Sequence, residues 1–191
     1  MAYLPAHNPE DWAVYQGLEE SLGAYLRDPD IALEALAGVI NFADVKAFTC
    51  ERVATPQEAG ESLWQEVAVT DGHRLILWHG DDEESEEDPG TLMFSSSVRT
   101  VPLQAVVDQG LRTRFTVTAD GQRSLYAVML YLSTQTPERS TTEIVESGTR
   151  TVQFVETYRF SKSVTDGGRG QMQRLMQFGR ALSRFAGTTE R

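Results

Sequence analysis

The chain predicts an α+β fold in which helices at both ends flank seven antiparallel strands. Three observations carry that expectation. Helix-start signals occur twice within residues 8–38, the hydrophobic period shortens after Asn41, and a final amphipathic stretch occupies residues 171–186. At 191 residues the chain suits one domain, here an N-terminal helical segment, 1–41, packed on a main domain, 42–191.

In NPEDWAVYQGLEESLGAYLRD, Asn8 stands as N-cap, Pro9 takes the first helical position, and Glu10 and Asp11 complement the dipole. Trp12, Tyr15, Leu18, Leu22, Tyr25 and Leu26 then share one stripe at helical spacing. DPDIALEALAG repeats the signal, with Asp28 as cap, Pro29 next and Gly38 as stop. Residues 44–53, 62–70 and 73–79 are rich in β-branched and aromatic side chains and read as strands. Asp71-Gly72 joins the last two as a hairpin. An acidic loop follows, then strands at 91–100, within 103–118, and at 123–133. The stretch from Leu111 alternates, with Leu111, Thr113, Phe115 and Val117 toward the core and Arg112, Arg114, Thr116 and Thr118 toward water. Residues 125–132 are apolar on both faces, which calls for cover by the N-terminal helices or by a second subunit. A short strand at 142–145 and a last one at 150–160 follow, the latter with Val152, Phe154, Tyr158 and Phe160 on one face. After the loop SVTDGGRG, the helix 171–186 turns Met172, Leu175, Met176, Phe178, Leu182, Phe185 and Ala186 inward. Gln173, Gln177, Arg180 and Arg184 lie opposite, and Gly187 ends the helix.

This up-and-down order, closed by one amphipathic helix, resembles the pleckstrin-homology (PH) superfold. TDGHRLILWHG, 70–80, is similar to a hairpin of bacterial PH-like and GRAM-like domains, and RTVPLQAVVDQG, 99–110, to the segment by which their chain enters the next strand. LMQFGRALSRF, 175–185, is similar to the closing helix of a family of uncharacterised actinobacterial proteins of this layout. The resemblance spans about residues 44–187 and implies a PH-like seven-stranded antiparallel barrel or sandwich with a C-terminal capping helix. Phosphoinositide-binding members use Lys and Arg on the first two strands and the loop between them. Here that loop, RVATPQEAGES, 52–62, sets Arg52 alone against Glu58 and Glu61, so phosphoinositide binding is not expected.

The formal charge is −11, of which −7 lies in residues 81–88. Residues 1–40 carry −6 and residues 150–191 carry +5, so the chain is electrically polarised. The overall sign disfavours nucleic acid and anionic membranes. Cys50 is the sole cysteine, so no intrachain disulfide forms and a reducing compartment is the simpler reading. No charged-then-apolar leader is visible, and the longest apolar run, YAVMLYL, is far short of the roughly 20 residues that span a bilayer. A cytoplasmic protein is expected.

The stretch HGDDEESEEDPG is the most conspicuous feature, with Asp81, Asp82, Glu83, Glu84, Glu86, Glu87 and Asp88 in near-continuous order. Chelating loops fold oxygens inward around Gly and Asn, which DDEESEED lacks, and consecutive like charges extend. The run therefore reads as a mobile solvated loop, or as a docking arm for a basic partner, before it reads as a metal site. His73 and His79 stand six apart, about 20 Å along a regular strand, and read as strand-end histidines rather than ligands of one metal. Cys50 in a strand pattern reads as a small buried hydrophobe. SSS at 95–97 lacks the glycine context of a nucleophile elbow. DGGRGQ at 166–171 lacks the phosphate-loop lysine and reads as a flexible lead into the helix.

The bases Arg112, Arg114, Arg150, Arg159, Lys162, Arg174, Arg180 and Arg184 are solvated strand and helix faces, or one surface that docks an acidic segment such as residues 81–88 of a second copy. Arg112, Arg114, Arg180, Arg184 and the acidic run are thus the candidate partner-binding residues. No catalytic, cofactor-binding or metal-ligating residue is assigned. A non-catalytic interaction or scaffold module is expected, homodimerisation being one form of it. The alternatives are a small-ligand cavity between sheet and helices, motivated by Trp12, Tyr15, Tyr25, Phe178 and Phe185, and an enzyme of unrecognised type.

Overall fold

The structure, a computed structural model, describes residues 10–57, 60–85, 91–145 and 148–186, with the backbone alone for 57, 60, 84, 136–145 and 148–154. Two helices, α1 (Leu18–Tyr25) and α2 (Pro29–Ala37), come first. Seven strands follow: β1 (Ala47–Gln57), β2 (Gly60–Thr70), β3 (Arg74–Glu84), β4 (Leu92–Pro102), β5 (Val106–Val117), β6 (Arg123–Val145) and β7 (Gly148–Ser163). Helix α3 (Gly168–Ala186) is last. All ladders are antiparallel, in the order β1-β2-β3-β4 in one sheet and β5-β6-β7 in the other. The expected α+β class is present. Among the described residues no ladder joins the two sheets, so they form a sandwich and not a closed barrel.

Strand alternation gives the first sheet two buried faces. On one, Phe48, Cys50, Val67, Val69, Ile76 and Trp78 pack under Trp12, Leu18, Leu22, Tyr25, Leu26, Ala32 and Leu36 of the N-terminal segment. On the other, Ala68, Leu75, Leu77 and Val101 meet Val128, Leu130, Leu132 and Phe160 of the second sheet and Met172, Leu175, Phe178 and Leu182 of α3. Each fully buried Leu or Phe in these layers stabilises by about 1.5–3 kcal/mol. Helix α3 thus enters where the sheets splay, with β1 on one side and β6 and β7 on the other.

The N-terminal segment departs from the expected long helix. The Asn8–Pro9 start lies outside the described residues. Asp11 caps a 3-10 turn, Trp12–Val14, by accepting the Ala13 N–H at 3.1 Å, and the chain then leaves the helical path, with Tyr15 and Gly17 at extended angles and a bend at Gln16–Gly17, before α1 begins. Glycine is a poor helix interior, and the break lets Trp12 turn fully into the core against Phe48, ring centroids 5.7 Å apart. Asp28 precedes α2 with Pro29 behind it, but its carboxylate makes no cap bond and binds Arg27 instead.

The Asp71-Gly72 hairpin forms, with Gly72 at φ 92° and Asp71 Oδ1 accepting the N–H groups of His73 and Arg74, both at 2.8 Å. Strand β6 is one 23-residue strand, and residues expected as a separate piece at 142–145 continue its ladder with β7. A register shift between Gln135 and Ser140 contains Pro137, which has no N–H to give a ladder. Gly167 and Gly168, at φ 80° and 69°, turn the chain from β7 into α3; a Cβ on Gly167 would sit 2.3 Å from Gln171 Oε1.

Two burial expectations are corrected. Strand β5 is an edge strand exposed from Leu111 onward, so Leu111, Thr113, Phe115 and Val117 are exposed rather than inward, and a bulge interrupts its register between Arg114 and Phe115. The N-terminal helices cover the first sheet, so they are not the outer cover of β6.

Candidate functional site

The acidic run divides between two settings. Asp81, Asp82, Glu83 and Glu84 are not loop residues: they extend β3 and pair with Ser95, Phe94, Met93 and Leu92. Glu86, Glu87 and Asp88 lie outside the described residues. Alternation points Asp82 to the helix-covered face, where its side chain is 6% exposed. There Arg27 donates from Nη1 and Nη2 to the two carboxylate oxygens, each at 2.7 Å, and the Leu63 N–H donates to Oδ2 at 3.0 Å. Bonding to Asp82 holds the Arg27 guanidinium above its ordinary pKa, against the opposing effect of burial. Arg27 also lies over the Phe94 ring, 5.3 Å from its centroid. Asp82 is therefore a tie between the α1–α2 junction and the sheet. Only Asp81 and Glu83 remain as described acids of the run facing elsewhere, the former half-buried and the latter exposed.

The four candidate arginines separate into two pairs flanking β5. Arg112 and Arg114 project from the outer face of the second sheet and line a groove of about 310 Å³ with Tyr126, Met129, Ser161 and Asp166. Arg180 and Arg184 line a different groove, about 370 Å³, where α3 meets Gln109 and Leu111 of β5. Gln109 Nε2 fastens that second junction, donating to the Gly179 carbonyl at 2.8 Å and to Ser183 Oγ at 2.5 Å.

The outer face of the second sheet has a consistent character. Phe160 faces the core, so its neighbours Arg159 and Ser161 face out beside Tyr131 and Met129, their register partners on β6. Gly110 is required there, because a Cβ would stand 2.2 Å from the Tyr131 ring. Arg112, Arg114 and Arg159 thus surround half-exposed Met129 and Tyr131, with Tyr126 exposed at the end. None of the three arginines makes an ion pair among the described residues.

Sequence reasoning missed a second group, between the sheets. Glu51, Glu66, His79 and Ser97 are successive register partners across all four strands of the first sheet and face the second sheet. His79 therefore sits inside β3, not at a strand end, with its ring 5.3 Å from Trp64. Lys162 of β7, 2% exposed, faces the same interior, and its Nζ has no hydrogen-bond partner among the described residues; neither has His79 Nε2. Burial, reinforced by Glu51, pushes the Glu66 carboxyl up to about 7, with Lys162 opposing. Burial likewise raises Glu51 and the Cys50 thiol, Lys162 again opposing. The signal in the sequence is small: in SLWQEVAVT, Glu66 shares its face with Ala68 and Thr70, and Lys162 follows Phe160 at the same parity. Six residues before Lys162, in the middle of β7, Glu156 accepts a fork from Arg99 of β4 and the Tyr158 hydroxyl hydrogen at 3.1 Å. Strand β7 therefore runs across the first sheet, from β4 at Glu156 to the neighbourhood of β1 at Lys162.

Among the described residues, no group of three or more His, Cys, Asp or Glu is placed to hold a metal ion, and no helix is long and apolar enough to cross a membrane. Comparison with protein-family models, with curated proteins and with solved structures gives no significant match.

Proposed function

We propose that this chain is a non-catalytic, PH-like interaction module that receives an acidic segment of a protein partner on the outer face of its second sheet. The PH-like reading is supported by the division of the strands into four and three and by the lodging of α3 between the sheets. One observation carries the docking surface: among the described residues Arg112, Arg114 and Arg159 stand without ion pairs around Met129 and Tyr131, on a chain whose formal charge is −11. Such a chain repels acidic partners except where its cations cluster, so this face selects both partner and orientation. The edge of β5, which no described strand pairs, adds backbone groups to which an extended segment adds as a strand. A two-fold contact between copies through the same face would set these arginines against their equivalents, which disfavours homodimerisation there.

The test is fluorescence polarisation with a labelled peptide of sequence HGDDEESEEDPG as the acidic probe, alongside light scattering. The native chain binds the peptide, binding weakens with salt, and R112E/R114E raises Kd about tenfold or more. Equal affinity of the double variant, or no binding at low salt, overturns the proposal. So does a native dimer that dissociates on R112E/R114E, which would give the face to a second copy.

A further inference from the structure

A third cleft, about 370 Å³, lies away from both arginine grooves, where the lead into α1, the lead into β1 and the middle of α3 converge. Its lining is of two kinds. Half-buried Phe42, Val45 and Ala47 over buried Leu18 and Phe48 provide the smaller, apolar part, and Gln16, Lys46, Arg174 and Gln177 provide the larger, polar part. About one residue in seven of this chain is Asp or Glu, yet none of the lining residues is acidic. Glu20, in the first turn of α1, is the nearest acid to Gly17 and does not line the cleft.

Arg174 is the central observation. Its guanidinium lies 4.6 Å from the Phe48 ring centroid and 5.7 Å from that of Trp12, so its plane is held against aromatic faces. Among the described residues it donates to Gln16 Oε1 at 3.4 Å, and no carboxylate pairs with it. Among the described residues this half-buried cation has no counter-ion, and with the exposed cation Lys46 it gives the cleft two positive charges in an otherwise acidic molecule. Cation–π contact offsets only part of the lost hydration. A carboxylate entering the cleft would supply the missing charge and accept from the guanidinium fork, while its apolar body covers Phe42, Phe48 and Val45.

We propose that this cleft binds a small amphipathic organic anion, a carboxylate carried on an apolar or aromatic body. The volume sits at the small end of known ligand pockets, about 300–1,000 Å³, which fits a metabolite-sized acid and excludes a long lipid chain. The site is independent of the outer face of the second sheet, so either stands without the other.

Calorimetric titration of the full chain with indole-3-acetate, 4-phenylbutanoate and octanoate tests it, with indole-3-acetamide as the neutral counterpart. At least one of the carboxylates binds, and indole-3-acetamide binds about tenfold more weakly than indole-3-acetate or not at all. Arg174→Gln weakens the carboxylate about tenfold, Lys46→Gln weakens it less and lowers its salt dependence, and Arg112→Gln leaves it unchanged. Ala181→Trp fills the cleft and abolishes binding without removing a charge, which keeps the test open if Arg174→Gln fails to fold. Absence of binding by all three acids overturns the proposal. So does equal affinity for acid and amide, or binding retained in Ala181→Trp.

Discussion

Asp82 and Glu83 are neighbours in one run of acids and have unrelated physical roles. Asp82 is nearly buried and accepts from Arg27 at two oxygens and from the Leu63 N–H, whereas Glu83 is exposed. Removing the Asp82 carboxylate takes two charge-assisted bonds from Arg27 and leaves the Leu63 N–H without its acceptor, although Asp28 stays bonded to Arg27. Asp82→Ala is therefore expected to lower unfolding free energy by about 2 kcal/mol, and Glu83→Ala to change it by less than about 0.5 kcal/mol. Urea unfolding of the two variants measures both. Equal losses would show that the run acts through bulk charge and not through the Arg27 tie.

At the scale of elements, the parts that local chemistry dictates were legible and the parts that packing dictates were not. The Asp71-Gly72 hairpin, the Pro29 helix start and the amphipathic face of α3 each depend on a few adjacent residues, and each is present. The continuation of β3 into Asp81–Glu84 was hidden because seven acids read as a solvated loop; its cause is a strand partner, β4, and a distant arginine. The position of half-buried Glu66 and buried Lys162 between the sheets was hidden for the same reason, since it depends on how β7 crosses the first sheet. The placement of α1 and α2 also lay beyond local reading. They cover most of an apolar face containing Phe48, Val67, Val69, Ile76 and Trp78, with Arg174 of α3 over Phe48 at one edge. A chain shortened to residues 42–191 would expose that face to water. It is expected to lose its near-ultraviolet circular dichroism and to bind a hydrophobic dye, while retaining strand signal. A shortened chain that unfolds cooperatively at the temperature of the full one would make the helices an accessory.

For the molecule as a whole, two effects favour mildly acidic over alkaline conditions, and one substitution separates them. The chain carries −11 at neutral pH and has a pI near 4.7, so self-repulsion in the compact state eases as pH falls. Glu66 acts in the same direction. Its carboxyl is raised from 4.5 to about 7 in the fold, so the folded state holds the proton more tightly than the unfolded one. The associated stability is complete below the unfolded value and is lost as pH rises from about 4.5 to about 7. The ionised form must share the interior with Glu51 on the adjacent strand, while Lys162 only partly compensates. Glu66→Gln keeps the size and a neutral head, removes the titration, and changes the net charge by a single unit. The native chain is therefore expected to melt at a higher temperature at pH 5.5 than at pH 8. The variant is expected to gain stability at pH 8 and to lose most of that difference, as scanning calorimetry at both values would measure. Were the difference to persist undiminished in Glu66→Gln, the interior carboxyl would not be its source and general charge repulsion would be.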